Sequence, residues 1–256
     1  MDIFNIHVNK NLLFRLEGTM QRCDLFTFMG SQMIAMDDCG TSEENMDRFG
    51  VEECPSQKER SPQSLCKKRK VLALKVIRLQ RIEHLELVPG IKDVNFKVIH
   101  LIRDPRGTMN SRQAWPNFYL ADFNEIKTKP LTPVNMGLAA DDLCTREMDN
   151  LRYSMNLPDW FQGRYIRITH DDMSLFPVRS AEHIYKFVNL TIPPTLNSWL
   201  ISHTTSQTKG VLSTSKDSKA ILEKWKSLEL DIIRTIEDKC RGVMEFMGYD
   251  SYEEPG

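Results

Sequence analysis

Phe96–Arg112 reads FKVIHLIRDPRGTMNSR. Phe96, Val98, Ile99, Leu101 and Ile102 are apolar, interrupted by Lys97 and His100, and have the length and composition of a buried strand. The run stops at Arg103-Asp104-Pro105-Arg106-Gly107. Aspartate is a good helix N-cap and proline suits the first helical position, so the spacing predicts a helix from Pro105. Arg106 then lies in the first turn, and Ser111 and Arg112 come about two turns on. In open parallel sheets, ligands bind beyond the carboxyl ends of the strands. A helix N-terminus offers free amides and partial positive charge to an anion, and an arginine fork matches two phosphate oxygens. A serine hydroxyl can complete such a shell. The residues alone leave two readings of Arg103 open: an anion ligand, or the partner of Asp104 or another carboxylate at a capped helix start.

The rest of the chain says what surrounds this segment. In 256 residues, 34 lysines and arginines nearly cancel 35 aspartates and glutamates. No global field therefore marks a nucleic-acid or membrane surface, and an anion site has to be a local concentration of positive charge. An apolar content of 41% is enough for a core, and the length suits one domain over residues 1–256. Residues 1–35 carry short helical patterns. Residues 36–70 turn polar, acidic first and then basic, and read as a mobile surface loop. VLALKVIRL, Val71–Leu79, reads as a buried strand, Gln80–Asp93 as a helix, and Phe96–Ile102 as a second strand. Such a βαβ unit predicts parallel strands with a right-handed crossover.

Gln113–Met136 is rich in aromatic residues and proline and reads as a long ordered loop. Ala140, Cys144, Met148, Leu151 and Met155 recur at helical spacing, with Pro158 closing the helix. Tyr165–Ile168 reads as a third strand, followed by His170-Asp171-Asp172 and a helix through Val188. Another helix follows Pro193-Pro194. The last spans about Asp217–Met247, with Ile221, Trp225, Leu228, Ile232, Ile236, Cys240, Val243 and Met247 on one face and Gly248 at its end. The class is α/β, a small parallel sheet flanked by helices.

Six cysteines form no Cys-x-x-Cys pair, which argues against a zinc ribbon or a thioredoxin-like motif. Their number fits either free thiols or disulfides in an oxidising compartment. Neither a signal-peptide h-region nor a run of about 18–20 apolar residues occurs. No Gly-x-x-x-x-Gly-Lys-Ser/Thr is present, which sets a P-loop kinase low. His170, Asp171 and Asp172 are the right residue types for a metal hydrolase, but no second ligand cluster accompanies them. His100 reads as a satisfied core histidine, and His170 as partly exposed.

The segment FKVIHLIRDPRGTMNSR resembles the 3′-phosphate-binding motif of the Golgi carbohydrate sulfotransferases, above all the group that sulfates the 6-hydroxyl of N-acetylglucosamine, galactose or N-acetylgalactosamine. Those enzymes use 3′-phosphoadenosine 5′-phosphosulfate (PAPS) as co-substrate, with no metal. CDLFTF, ALKVIRL, LPDWFQGRYIRITHDDM, IYKFVNL and the region from Lys216 to Tyr249 follow the family's order. The resemblance implies that Arg103 and Ser111 hold the 3′-phosphate, with Arg106, Lys75 and Lys216 as further cofactor-binding residues. Lys75 would face the phosphosulfate end. It also implies a glycan acceptor, no nucleic-acid partner, and a place on the lumenal face of the Golgi membrane. If translation starts at Met1, a cytoplasmic location is expected instead.

Departures matter as much. Thr169-His170-Asp171-Asp172-Met173 stands where the family has Arg-Tyr-Glu-Asp-Leu, and Lys216 stands where it has an arginine. Nothing resembles the family's Arg-Ser-Gly-Ser-Ser phosphosulfate loop, its Glu-Pro segment or its membrane anchor. The expectation is a P-loop-like sulfotransferase fold lacking its first strand–loop unit, incomplete at the N-terminus, with little or no activity as it stands. The alternative is a non-catalytic nucleotide-binding remnant or interaction module. No general base is identified.

Overall fold

The computed structural model describes residues 73, 79–88, 90–93, 95–113, 133–205 and 217–253. Most of the expected strand Val71–Leu79, the 1–35 and 36–70 segments, and residues 114–132 lie outside these. The chain forms two compact units, Asp2–Asn95 and Phe96–Gly256. The expectation of one domain over 1–256 falls in part on residues outside the described set.

In the first unit the helix expected over Gln80–Asp93 is instead two 3-10 turns, Ile82–Leu87 and Ile91–Asp93. Pro89 disfavours α geometry in the residue before it, and Val88 is extended, at ψ 114°. Gly90, at φ 71°, then reverses the chain. Ile82 and Ile91 are the buried positions.

The second unit is α/β. Strand β1, Val98–Ile102, pairs in parallel with β2, Tyr165–Thr169, in the register Val98↔Tyr165 to Ile102↔Thr169. Helix α1 is Pro105–Gln113, α2 is Pro133–Met155, α3 is His170–Leu175 and α4 is Pro177–Val188. Helix α5 is Leu196–Thr204, α6 is Ser218–Leu222 and α7 is Leu230–Met247. Strand β1 is not buried on both faces as its composition suggested. Successive side chains point to opposite faces, so Ile102 is 1% exposed in the core while Ile99 and Leu101 are 40% and 47% exposed.

The core lies between α2, α7 and the face of the sheet that carries Ile102. Met136, Ala139, Ala140, Cys144 and Leu151 of α2 meet Ile232, Ile236, Cys240, Val243 and Met244 of α7, with Met109 of α1 beside them. Helix α2 begins three residues before Met136, at Pro133, because proline is at home in a first turn. Two helices expected to run unbroken are divided. Pro177 forces Phe176 out of helical geometry, to φ −131° and ψ 59°, and separates α3 from α4. The helix expected from Asp217 to Met247 becomes α6, a 3-10 turn Lys224–Ser227, and α7. Tertiary packing overrides the periodicity there, because the buried Trp225 ring stacks on Arg106 and meets Tyr252 edge-on. Gly248, at φ 75°, closes α7 as expected, while the Tyr249 N–H donates back to the Met244 carbonyl.

A disulfide joins Cys144 of α2 to Cys240 of α7 across a sequence separation of 96 residues. It settles for this pair the choice that spacing left open. Closing a loop of that length removes conformational entropy from the unfolded chain. Cys144→Ala is expected to lower the unfolding free energy by about 2–5 kcal/mol, read as a lower urea midpoint. An unchanged midpoint would show that the two helices hold their places without the cross-link.

Candidate functional site

The parallel register sets the site. Ile102 pairs with Thr169, so Arg103 and His170, the next residues, both emerge at the carboxyl edge of the sheet. Asp104 caps α1 as expected, its Oδ1 accepting the Arg106 N–H at 2.8 Å, and Pro105 is the first helical residue.

Arg103 and Ser111 are brought together. The Arg103 guanidinium donates from Nη1 to Ser111 Oγ at 2.8 Å, across eight residues of sequence. To reach that far the side chain lies along the first turns of α1, over Gly107. A Cβ on Gly107 would come within 3.0 Å of Arg103 Nε, so the absent side chain is what lets the guanidinium lie so close to the helix.

Arg106, expected among the cofactor-binding residues, is engaged within the protein. Its side chain is buried among acceptors of its own. Nε donates to both Asp104 oxygens at 3.0 and 3.2 Å, and Nη2 to Asp104 Oδ2 at 2.7 Å. Nη1 donates to Glu237 Oε1 at 2.7 Å and to the Asp250 carbonyl at 2.9 Å. Four of its five N–H donors are thus used, and Trp225 covers the plane 3.9 Å away. Burial alone would push the guanidinium down, but Asp104 and then Glu237 outweigh it and hold it above its ordinary value. Glu237 also accepts the Tyr252 N–H at 2.8 Å. Arg106 therefore fastens α1, α7, the Trp225 turn and the C-terminal segment together. It positions the helix that carries Ser111.

His170 opens α3, with Ser174 Oγ 3.4 Å from its Nδ1. Burial, and after it the Arg103 charge, depress the imidazole to about 4. Asp171 is pushed up, chiefly by burial, and stands beside Tyr249, whose phenol is raised by burial and by the Asp171 charge. Thr169 caps α3: its Oγ1 accepts the Asp172 N–H at 3.0 Å and donates to Asp172 Oδ2 at 2.7 Å. The sequence contained the signal for His170, since it follows β2 as Arg103 follows β1. The pairing of those two strands was the missing step.

His100 is the satisfied histidine expected, with Nδ1 2.8 Å from the Tyr165 hydroxyl and Nε2 3.0 Å from Glu147. Lys75 and Lys216 lie outside the described residues. Among the described residues no three His, Cys, Asp or Glu side chains converge as a metal site, and no helix is long and apolar enough to cross a membrane.

The chain is 24% identical over 212 residues to carbohydrate sulfotransferase 1 of Danio rerio, covering 80% of this chain and 50% of that protein. It is 29% identical over 198 residues to carbohydrate sulfotransferase 3 of Tetronarce californica, covering 72% and 43%. To carbohydrate sulfotransferase 2 of Mus musculus it is 24% identical over 234 residues, covering 79% and 44%. The chain spans half or less of the length of these curated relatives. No protein-family model matches it, and no solved structure does.

Proposed function

This chain is a sequence relative of the carbohydrate sulfotransferases, and from that premise we propose that Arg103 and Ser111 bind the 3′-phosphate of PAPS. The reaction served is transfer of the sulfuryl group to the 6-hydroxyl of a sugar in a glycan. The observation that carries the reading is the Arg103–Ser111 pair, 2.8 Å apart at the carboxyl edge of a parallel sheet. A guanidinium and a hydroxyl already held together need little reordering to receive a phosphate, which keeps the entropic cost of binding low.

In the transfer the acceptor oxygen attacks sulfur as the bond from sulfur to the bridging phosphate oxygen breaks. The hydroxyl proton passes to a base, and adenosine 3′,5′-bisphosphate leaves. The work of Arg103 and Ser111 is remote from that bond. By fixing the far end of the nucleotide they orient the reacting end, and binding energy at the 3′-phosphate serves the transition state through position. Lys75 is assigned to the phosphosulfate end and Lys216 to cofactor binding, both from the family resemblance. A lumenal Golgi location is supported by the Cys144–Cys240 bond, which belongs to an oxidising compartment.

These 256 residues hold no counterpart of the phosphosulfate loop, so on this reading they transfer little sulfate by themselves and binding is the sound readout. Calorimetry should show that adenosine 3′,5′-bisphosphate binds at least about tenfold tighter than adenosine 5′-monophosphate, the value of one good charge-assisted hydrogen bond. Equal affinities would remove the 3′-phosphate site and the proposal with it.

A further inference from the structure

Two residues, each the first beyond its strand, share the carboxyl edge. Adjacent strands run about 4.8 Å apart, and with Ile102 paired to Thr169 the backbones of Arg103 and His170 are neighbours. The imidazole is steadied by the buried Ser174, whose Oγ lies 3.4 Å from Nδ1. Its Nε2 has no hydrogen-bond partner among the described residues.

We propose that His170 is a third ligand of the phosphate held by Arg103 and Ser111, donating from Nε2. This rests on the reading that Arg103 and Ser111 bind a 3′-phosphate, and it adds a dependence on protons to that site. With no ligand, burial and Arg103 keep the ring near 4 and therefore neutral at pH 6. A phosphate dianion set between the two reverses the balance, because an adjacent negative charge favours the imidazolium. The ring then takes one proton from solvent as the phosphate arrives. Ser174 suits both states: its hydroxyl donates to Nδ1 of the neutral ring and rotates to accept from the charged one.

Other charges nearby do not undo this. Asp104 is engaged by Arg106, and Asp171 is itself pushed toward its neutral form by burial. Asp172 lies on the same helix, Tyr249 follows α7, and Arg167 is on β2. Helices α4 and α6, packed on α3, bring Arg179, Glu182, His183, Lys186 and Lys219, none of which contributes to the depression of the ring.

The sign follows. Binding that takes up a proton strengthens as pH falls toward the unliganded value, so the advantage of histidine over an uncharged residue is greatest in mild acid. His170→Gln should weaken adenosine 3′,5′-bisphosphate binding about tenfold at pH 6 and by no more than about twofold at pH 8. Comparing variant and wild type at each pH removes the phosphate's own ionisation near about 6. In the wild-type protein, the His170 ring proton followed by NMR should titrate well above its unliganded midpoint once the nucleotide is bound. That measurement decides the matter even if the variant fails to fold. A loss that is the same at both pH values, or a midpoint that binding leaves in place, overturns the role of His170 alone. If the wild type shows no preference for adenosine 3′,5′-bisphosphate over adenosine 5′-monophosphate, the phosphate site fails and His170 falls with it.

Discussion

Arg106→Ala is expected to destabilise the protein by about 3–5 kcal/mol, the usual loss when one member of a buried ion pair is removed. Asp104 and Glu237 would both be left in poorly solvated places without their counter-charge, and the Asp250 carbonyl would lose its donor. Trp225 would lose the cation that covers its face. The cost arises because an uncompensated charge remains, so a double change that also neutralises Asp104 should recover part of it. Arg106→Lys should fall between the two, since it keeps the charge and loses the planar fork. Urea denaturation followed by tryptophan fluorescence checks the series. Nucleotide binding measured on the same variants separates the two roles considered for Arg106. A stable Arg106→Ala protein with weakened nucleotide binding would restore it to the ligands, whereas a large loss of stability confirms it as the fastening of α1.

Much of this arrangement was legible in the sequence. The turn from β1 into α1 was, because Asp104 and Pro105 act locally: a cap and a first-turn proline need only their own neighbours. The Arg103–Ser111 spacing was legible for the same reason, as both sit on one short strand–helix unit. The partners of Arg106 were not, because Glu237 and Asp250 are 131 and 144 residues away, and no periodicity reports which carboxylate closes on which guanidinium. His170 was read as partly exposed and is half-buried. Its place beside Arg103 was not legible, because it comes from the β1–β2 pairing, whereas the reading of residues 71–102 paired β1 with Val71–Leu79, which lies mostly outside the described residues. The division of the expected helix Asp217–Met247 was hidden too. Trp225 fits a helical stripe in sequence, yet its burial against Arg106 and Tyr252 is a tertiary matter.

Arg103→Ala carries the largest expected effect on ligand binding. Affinity for adenosine 3′,5′-bisphosphate should fall by about tenfold to a hundredfold, the value of a guanidinium hydrogen bond to a charged acceptor. Affinity for adenosine 5′-monophosphate, which has no 3′-phosphate, should hardly move, so the preference between the two nucleotides is the quantity to follow. Stability should change less than for Arg106→Ala, because Arg103 is only half-buried whereas Arg106 is buried between two carboxylates. Ser111→Ala should reproduce the loss on a smaller scale, removing one neutral hydrogen bond and leaving the cation in place. Arg103→Lys should lie between wild type and alanine, since an ammonium offers charge without two parallel donors. A further consequence links the two strand ends. With the Arg103 charge gone, one cause of the depressed His170 ring is removed, and the unliganded imidazole should titrate closer to its ordinary value. If Arg103→Ala keeps its preference for the 3′-phosphate, the phosphate lies elsewhere and the Arg103–Ser111 bond is only the cap of a helix. If the preference disappears while the fold survives, the edge of this sheet is where the nucleotide is held.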